Sequence, residues 1–234
     1  MKNSYILVLD SGNGGEYTLN EIKKILPNEN FIMFKDTRNS PYGNKNKRKL
    51  LTLTINNIES ILQNYNIKLV VIACNTLSTT ILNELKEYFN NICFVGVFPS
   101  VEEAVNSNKE TLVLSTKSTL KLGKIDKNHK NNPKIRFYAF KHLAKMIDEH
   151  MNNLDYLLPY LNKKLRKYKN VKNVVLGCTH YNYIKPQLKK VLNNDIVFYE
   201  NSFFTAKKVE RLLKALSLKS KSKKKGFVIK LTKI

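Results

Sequence analysis

Two stretches decide the fold: Lys68-Leu69-Val70-Val71-Ile72-Ala73-Cys74-Asn75-Thr76 and its later near copy, Asn173-Val174-Val175-Leu176-Gly177-Cys178-Thr179-His180. Each is a short apolar run, then a small residue, then a cysteine followed by polar side chains. About five β-branched and aliphatic residues are too few for a typical helix and read as a strand buried on both faces. Each cysteine therefore falls just past a strand's carboxyl end. In open α/β sheets that edge is where ligands bind, because the next loop and helix start gather backbone N–H groups and polar side chains. Two such cysteines predict two matching halves.

Outward from the first stretch, Tyr5 to Leu9 reads as a strand that runs into Asp10-Ser11-Gly12-Asn13-Gly14-Gly15. Leu19, Ile22, Ile25 and Leu26 then recur at helical spacing. The glycines either let the backbone approach a bound anion beside Asp10 or serve a turn that needs positive φ. The loop does not match GxGxxG, which excludes the nicotinamide fingerprint. Phe31 to Phe34 is a second strand, followed by a polar loop from Lys35 to Gly43 that holds Asp36, Pro41 and Tyr42. Leu50, Leu53, Thr54, Asn57, Ile58, Ile61 and Leu62 mark one face of a long helix. Beyond Cys74, the positions Leu77, Ile81, Leu85 and Tyr88 or Phe89 give one more amphipathic helix, and Cys93 to Val97 a strand with Cys93 as a buried small hydrophobe. Phe98-Pro99-Ser100 is the expected crossing point, with Ser100 capping a helix at Val101.

The second half opens with a strand from Thr111 to Leu114 and a hydroxyl-rich loop, Ser115 to Thr119, suited to hold a carboxylate or to cap a helix. Lys127 to Pro133 reads as a surface loop, Ile135 to Ala139 as a strand, and Leu143 to Asp148 as a packing segment. A helix from Asp155 to Tyr168 leads to the second cysteine strand. After His180 a helix tolerates Pro186 in its first turn. Ile196 to Tyr199 is a strand, Ser202 to Leu216 a helix with Val209, Leu212, Leu213 and Leu216 as its apolar face, and Phe227 to Leu231 a last strand. Strands alternating with helices predict a parallel sheet in each half.

The composition bounds the function classes. At 234 residues with 42% hydrophobic side chains the chain can bury a core, and two domains are expected. The net charge of +23 favours a polyanionic partner when taken alone. The lysines, however, are spread through nearly every predicted helix, so a solvated basic surface is preferred to a nucleic-acid footprint, with the Lys219 to Lys225 run as the main exception. Three cysteines without a CxxC pair predict thiols rather than disulfides. No apolar run approaches the roughly 18 residues of a membrane span, and the amino terminus enters a strand directly, which places the protein in the cytoplasm.

Four readings compete for the cysteines. A papain-like nucleophile needs one cysteine and one histidine and leaves the other thiol unused. A zinc site from Cys74, Cys178 and His180 lacks a fourth ligand and the usual close ligand pairing. Plain burial is the commoner fate of any single strand-end cysteine, but two in matching positions with polar successors weaken it. The fourth reading sets one thiol on each face of a carbon acid, one removing a proton and the other delivering one, without pyridoxal or another cofactor. Cys74 would meet Asp10 if the first and third strands were neighbours.

Taken together, Asp10 to Gly15, Asp36 with Pro41-Tyr42-Gly43, Ala73 to Thr76, Ser115-Thr116 with Thr119, and Gly177 to Tyr181 resemble the motifs of the glutamate racemases, in the wider family of cofactor-independent aspartate and glutamate racemases. Histidine after Cys178-Thr179 resembles the glutamate enzymes, where aspartate racemases usually have glutamate. The resemblance implies Cys74 and Cys178 as the two acid/base residues, with Asp10 assisting Cys74 and His180 assisting Cys178. Ser11, Tyr42, Gly43, Asn75, Thr76, Thr116, Thr119 and Thr179 would bind substrate, with Asp36 and Asp148 as auxiliary residues. It further implies interconversion of L- and D-glutamate for peptidoglycan synthesis, no metal, and a homodimer. Two facing, doubly wound α/β domains would be built from residues 1–98 plus 207–234 and from 99–206, with the site in their cleft. Two segments depart from the family. Phe140 to Asp148 lacks its cysteine-proline pair and ends in aspartate rather than glutamate, and Tyr199 to Phe204 also differs. The rivals are a racemase of another acidic amino acid, such as aspartate, and a non-catalytic binding protein that uses its basic surface.

Overall fold

The computed structural model describes residues 4–125, 127, 129 and 131–233. Residues 128 and 130 of the loop expected over 127–133 lie outside the described residues. In chain order the first elements are β1 (Ser4–Asp10), α1 (Gly15–Ile25), β2 (Asn30–Lys35), α2 (Lys47–Leu62), β3 (Asn66–Ile72), α3 (Asn75–Thr80), α4 (Leu82–Tyr88) and β4 (Cys93–Gly96). After the crossing come α5 (Val101–Val105), β5 (Thr111–Thr116), α6 (Lys117–Lys121), β6 (Ile135–Phe140), α7 (Leu143–Glu149), α8 (Leu158–Leu165), β7 (Asn173–Gly177), α9 (Lys185–Val191) and β8 (Val197–Tyr199). The chain then returns through α10 (Ser202–Ala215) to β9 (Val228–Thr232).

The strands form two sheets, ordered β4-β3-β1-β2-β9 and β6-β5-β7-β8, in which every paired neighbour is parallel. Strand alternation explains why both faces need cover. Leu7 and Leu9 of β1 enter a core shared with α2 and α4, while Ile6 and Val8 enter the opposite core with α1 and α10. In the second sheet Val174 and Leu176 of β7 face one core and Val175 the other. Because all strands run parallel, the carboxyl ends in each sheet share one edge. The loops after β1, β2 and β3 therefore converge, as do those after β5, β6 and β7.

Local chemistry sets the element ends. Asn46 caps α2 by accepting from the Lys49 N–H at 2.8 Å, and Thr116 caps α6 by accepting from the Thr119 N–H at 3.2 Å. The single helix expected after Cys74 is broken at Ile81, whose φ is −138°. Thr79 and Thr80 return their hydroxyls to the carbonyls of Asn75 and Thr76 at 2.8 and 2.5 Å, a back-bonding that bends helices. Ser100 occupies the N-cap position of α5, but its ψ of 58° is not extended and its hydroxyl caps nothing. Cys93 is half-buried rather than buried. On α10 the apolar face is Ala206, Val209 and Leu213; Leu216, expected on that face, is exposed. Among the described residues no helix is long and apolar enough to cross a membrane.

Candidate active site

Both thiols end up at sheet edges, held there by strand pairing. The Ala73 N–H donates to the Leu9 carbonyl at 2.9 Å, which keeps β3 zipped to β1 up to the residue before Cys74. Cys74 is then the extended N-cap residue of α3, and the N–H groups of Leu77 and Thr76 favour negative charge on its sulfur. Burial outweighs them, and the nearby Asp10 carboxylate adds to it, so the Cys74 thiol is pushed well above the usual cysteine range. In the second sheet Cys178 follows β7 in an extended conformation, and its carbonyl accepts from the Tyr181 N–H to start a 3-10 turn over Thr179–Ile184. Both cysteines are buried, and the charge of Cys178 is felt at Cys74.

Asp10 is fully buried at the end of β1. Its oxygens accept from the Ser11 N–H at 2.5 Å and from the Thr179 hydroxyl at 3.0 Å, so a residue of the Cys178 half holds the carboxylate of the Cys74 half. Burial raises its pKa, and the His180 charge and the Thr179 hydrogen bond only partly offset that. Its influence on Cys74 is thus electrostatic, while its hydrogen bonds go elsewhere.

His180 bridges the second thiol to a carboxylate. Its Nδ1 lies 3.8 Å from Cys178 Sγ and its Nε2 lies 3.0 Å from Asp148 Oδ2. Burial works to lower the His180 pKa, but the hydrogen bonds to Asp148 and Cys178 and their charges raise it well above the ordinary value. Asp148 moves the other way: burial opposes ionisation, yet His180 and the Asn13 amide hold it below the usual carboxylate range. An ionised Asp148 only accepts, so Nε2 carries a proton. The Gly14 N–H, 3.4 Å from the same nitrogen, is then a close approach rather than a bond. Asp148, the aspartate that ends the departing segment, thus reaches the histidine.

The glycine loop owes its composition to this approach. A Cβ on Gly14 would lie 2.5 Å from Thr179 Oγ1 and 2.6 Å from His180 Nδ1, and one on Gly12 would lie 2.6 Å from Asp148 Oδ2. None of the described glycines has positive φ, so the alternative reading as a strained turn does not apply. What the glycines admit is a histidine from the other sheet.

Around the thiols lies a polar shell. Thr76 of α3 bonds Thr116 at 2.9 Å and Thr119 at 3.0 Å, and these two bond each other at 2.9 Å, a closed triangle of hydroxyls spanning both halves. Gly43 packs directly on Thr116, where a Cβ would come within 2.5 Å. Tyr42 is buried, and its hydroxyl donates to Asp36 Oδ2 at 2.5 Å. Asp36 also accepts from Asn57 at 3.0 Å and from Asn39, so it braces Tyr42 rather than joining the thiols. Asn75 is buried with its amide donating to the Val97 carbonyl at 3.2 Å. Ser11 and Thr179 serve Asp10. Among the described residues no group of three or more His, Cys, Asp or Glu is placed to hold a metal ion.

Sequence reasoning missed Asn13, whose amide donates to Asp148 Oδ1 at 2.9 Å, and Lys35, whose ammonium donates to Asn13 Oδ1 at 2.7 Å. It also missed Asn57 behind Asp36. The sequence places Asn57 only on one face of its helix; an amide there is the one signal available, since a buried amide needs partners.

No protein-family model matches the chain. Among curated proteins it is 34% identical over 235 residues to the glutamate racemase of Clostridium botulinum (strain Alaska E43 / Type E3), covering 97% of this chain and 90% of that one. It is 36% identical over 223 residues to the glutamate racemase of Clostridium novyi (strain NT), covering 92% and 86%. Among solved structures, Escherichia coli glutamate racemase in complex with L-glutamate and the activator UDP-MurNAc-ala superposes with a TM-score of 0.84 at 24% identity, covering 98% of both chains.

Proposed function

The chain belongs to the glutamate racemases, an isomerase family that interconverts L- and D-glutamate, and we propose that Cys74 and Cys178 are its two acid/base residues. The observation that carries this reading is that two buried thiols stand at matching strand ends of two parallel sheets, each beside its own ionisable partner. As one sulfur, in its thiolate form, takes the Cα proton, an S–H bond forms while the C–H bond breaks, and the electron pair spreads into the α-carboxylate. The other thiol then gives its proton to the opposite face of Cα and becomes the thiolate. His180, held as an imidazolium, attracts negative charge to Cys178, and Asp10 is the acceptor for the substrate ammonium. Thr76, Thr116 and Thr119, which now satisfy one another, turn their hydroxyls to a substrate carboxylate, with Ser11, Asn75, Thr179, Tyr42 and Gly43 completing the pocket.

In this reading the D-glutamate supplies peptidoglycan synthesis in the cytoplasm, and the two functional units are residues 1–98 with the returning C-terminal segment, and the chain between. The test is incubation of the pure protein with L-glutamate in heavy water, without added cofactor. Loss of circular dichroism with deuterium entering Cα is expected. Cys74→Ser and Cys178→Ser should each abolish racemisation, and retention of full turnover by either variant would sink the two-thiol assignment.

A further inference from the structure

We propose that Asn13 and Lys35 form a positioning pair for the Cys178 side of the site: the Lys35 ammonium fixes the Asn13 amide, and the amide aims Asp148 at His180. The kinetic consequence rests on the two-thiol reading above; the contacts do not.

The amide has one workable orientation. Asn13 Nδ2 faces Asp148 Oδ1 at 2.9 Å and Oδ1 faces Lys35 Nζ at 2.7 Å. Reversed, it would set its oxygen against a carboxylate and its NH2 against an ammonium, both repulsive. Lys35 is itself fixed by Glu16 Oε1 at 2.7 Å, and the same oxygen takes Lys230 of β9 at 3.2 Å. The backbone at Asn13 is tied as well, because Tyr183 donates its hydroxyl to the Asn13 carbonyl at 3.0 Å. A line of alternating charge and dipole thus runs from β9 through Glu16, Lys35, Asn13 and Asp148 to His180, and ends at a thiol.

Asp148 needs such a partner because its side chain is 22% exposed, at the rim of a depression it shares with Asn13, Lys145 and Glu149. A carboxylate bonded through one oxygen only could swing toward water and release His180. With Oδ1 held by Asn13, Oδ2 stays on Nε2. The charged and titratable groups facing this pair are Asp10 at the end of β1, Glu16 on α1, Lys35 from β2, Lys145 and Glu149 on α7 itself, and Cys178 and Tyr183 beyond the imidazole. Of these cations, Lys35 is the one that reaches Asp148 through a hydrogen-bonded amide.

The experiment reads His180 directly by NMR titration in the full-length protein, using His180→Asn to assign its resonances among the four histidines. Asn13→Leu should lower the His180 pKa by about one unit, because the carboxylate that holds the proton loses its second anchor. The alkaline limb of kcat should move acidward by a similar amount, and kcat should fall about tenfold with KM little changed. Lys35→Met should reproduce the shift in part and Lys35→Arg should restore it. If Asn13→Leu fails to fold, Lys35→Met carries the test. Folded variants with an unaltered His180 titration and pH profile would overturn the proposal. Absence of Cα exchange in the unmutated protein would instead overturn the two-thiol reading, while the NMR arm would still decide the role of Asn13 and Lys35.

Discussion

His180 sits between a carboxylate and a thiol, and its charge couples stability to pH. Its pKa is raised in the folded state, so its contribution is complete below about pH 6.5, the unfolded value, and is lost as pH rises toward the folded one. Asp148, held low, contributes above about pH 3.9 and loses that contribution as pH falls through its depressed value. Asp10, raised by burial, has the opposite sign in the acid range, and Cys74 adds its own decline above about pH 8.5. Between about pH 6.5 and 8.5, then, the unfolding free energy from urea titrations should fall with pH by up to about 1.4 kcal/mol per unit, and His180→Asn should flatten that slope. An unchanged slope in the variant would mean that His180 is neutral when folded. Asp10, Cys74, Cys178 and His180 were legible in the sequence because each lies next to a strand end that hydrophobic patterning locates. Asn13 and Lys35 were not, since their partners stand on other elements and no spacing rule joins Asn13 to Asp148. Asp36 was legible as a member of the motif, but only the fold shows that it faces Tyr42 and Asn57.

Strands follow from sequence almost residue by residue, because a short, near-continuous apolar run is a local property. The breaks in helices do not. Ile81 interrupts α3 and α4 through back-bonds from Thr79 and Thr80, and hydroxyls at those positions are equally compatible with an unbroken helix facing water. The hydroxyl triangle belongs to this scale too, since it joins the start of α3 to the cap of α6. Thr76→Val removes two of its three bonds but leaves Thr116 and Thr119 bonded to each other. The expected stability cost is only about 1 kcal/mol, whereas KM for glutamate should rise about tenfold if the triangle opens onto a carboxylate. A variant with lowered thermal stability and normal KM would make the triangle a structural clasp.

A net charge of +23 on 234 residues pushes the folded molecule apart, and most of that charge lies on exposed lysines. Lys68 is the contrast, half-buried with its side chain only 8% exposed and paired with Glu29 at 2.5 Å, where Glu29 also accepts from the Ser220 N–H at 2.6 Å and so pins the basic linker to the amino-terminal edge of the first sheet. Screening should therefore stabilise the protein: the urea midpoint should rise between about 10 mM and 0.5 M sodium chloride, and a midpoint that falls would show that ion pairs outweigh repulsion. The two-sheet architecture was legible from the repeated strand-plus-cysteine, and the resemblance implied that the C-terminal segment rejoins the first half, but the place of β9 beside β2 was not legible, because a basic linker carries no address. That return has a consequence for the order of events on the ribosome. The strands of the second sheet are contiguous in sequence, from Thr111 to Tyr199, whereas the first sheet waits for α10 to cover α1 and for β9 to complete its edge. Completion of the first sheet therefore waits on a segment made after the whole of the second, and the glycine loop beyond Asp10, which opens α1, gains its last covering helix only once α10 has returned.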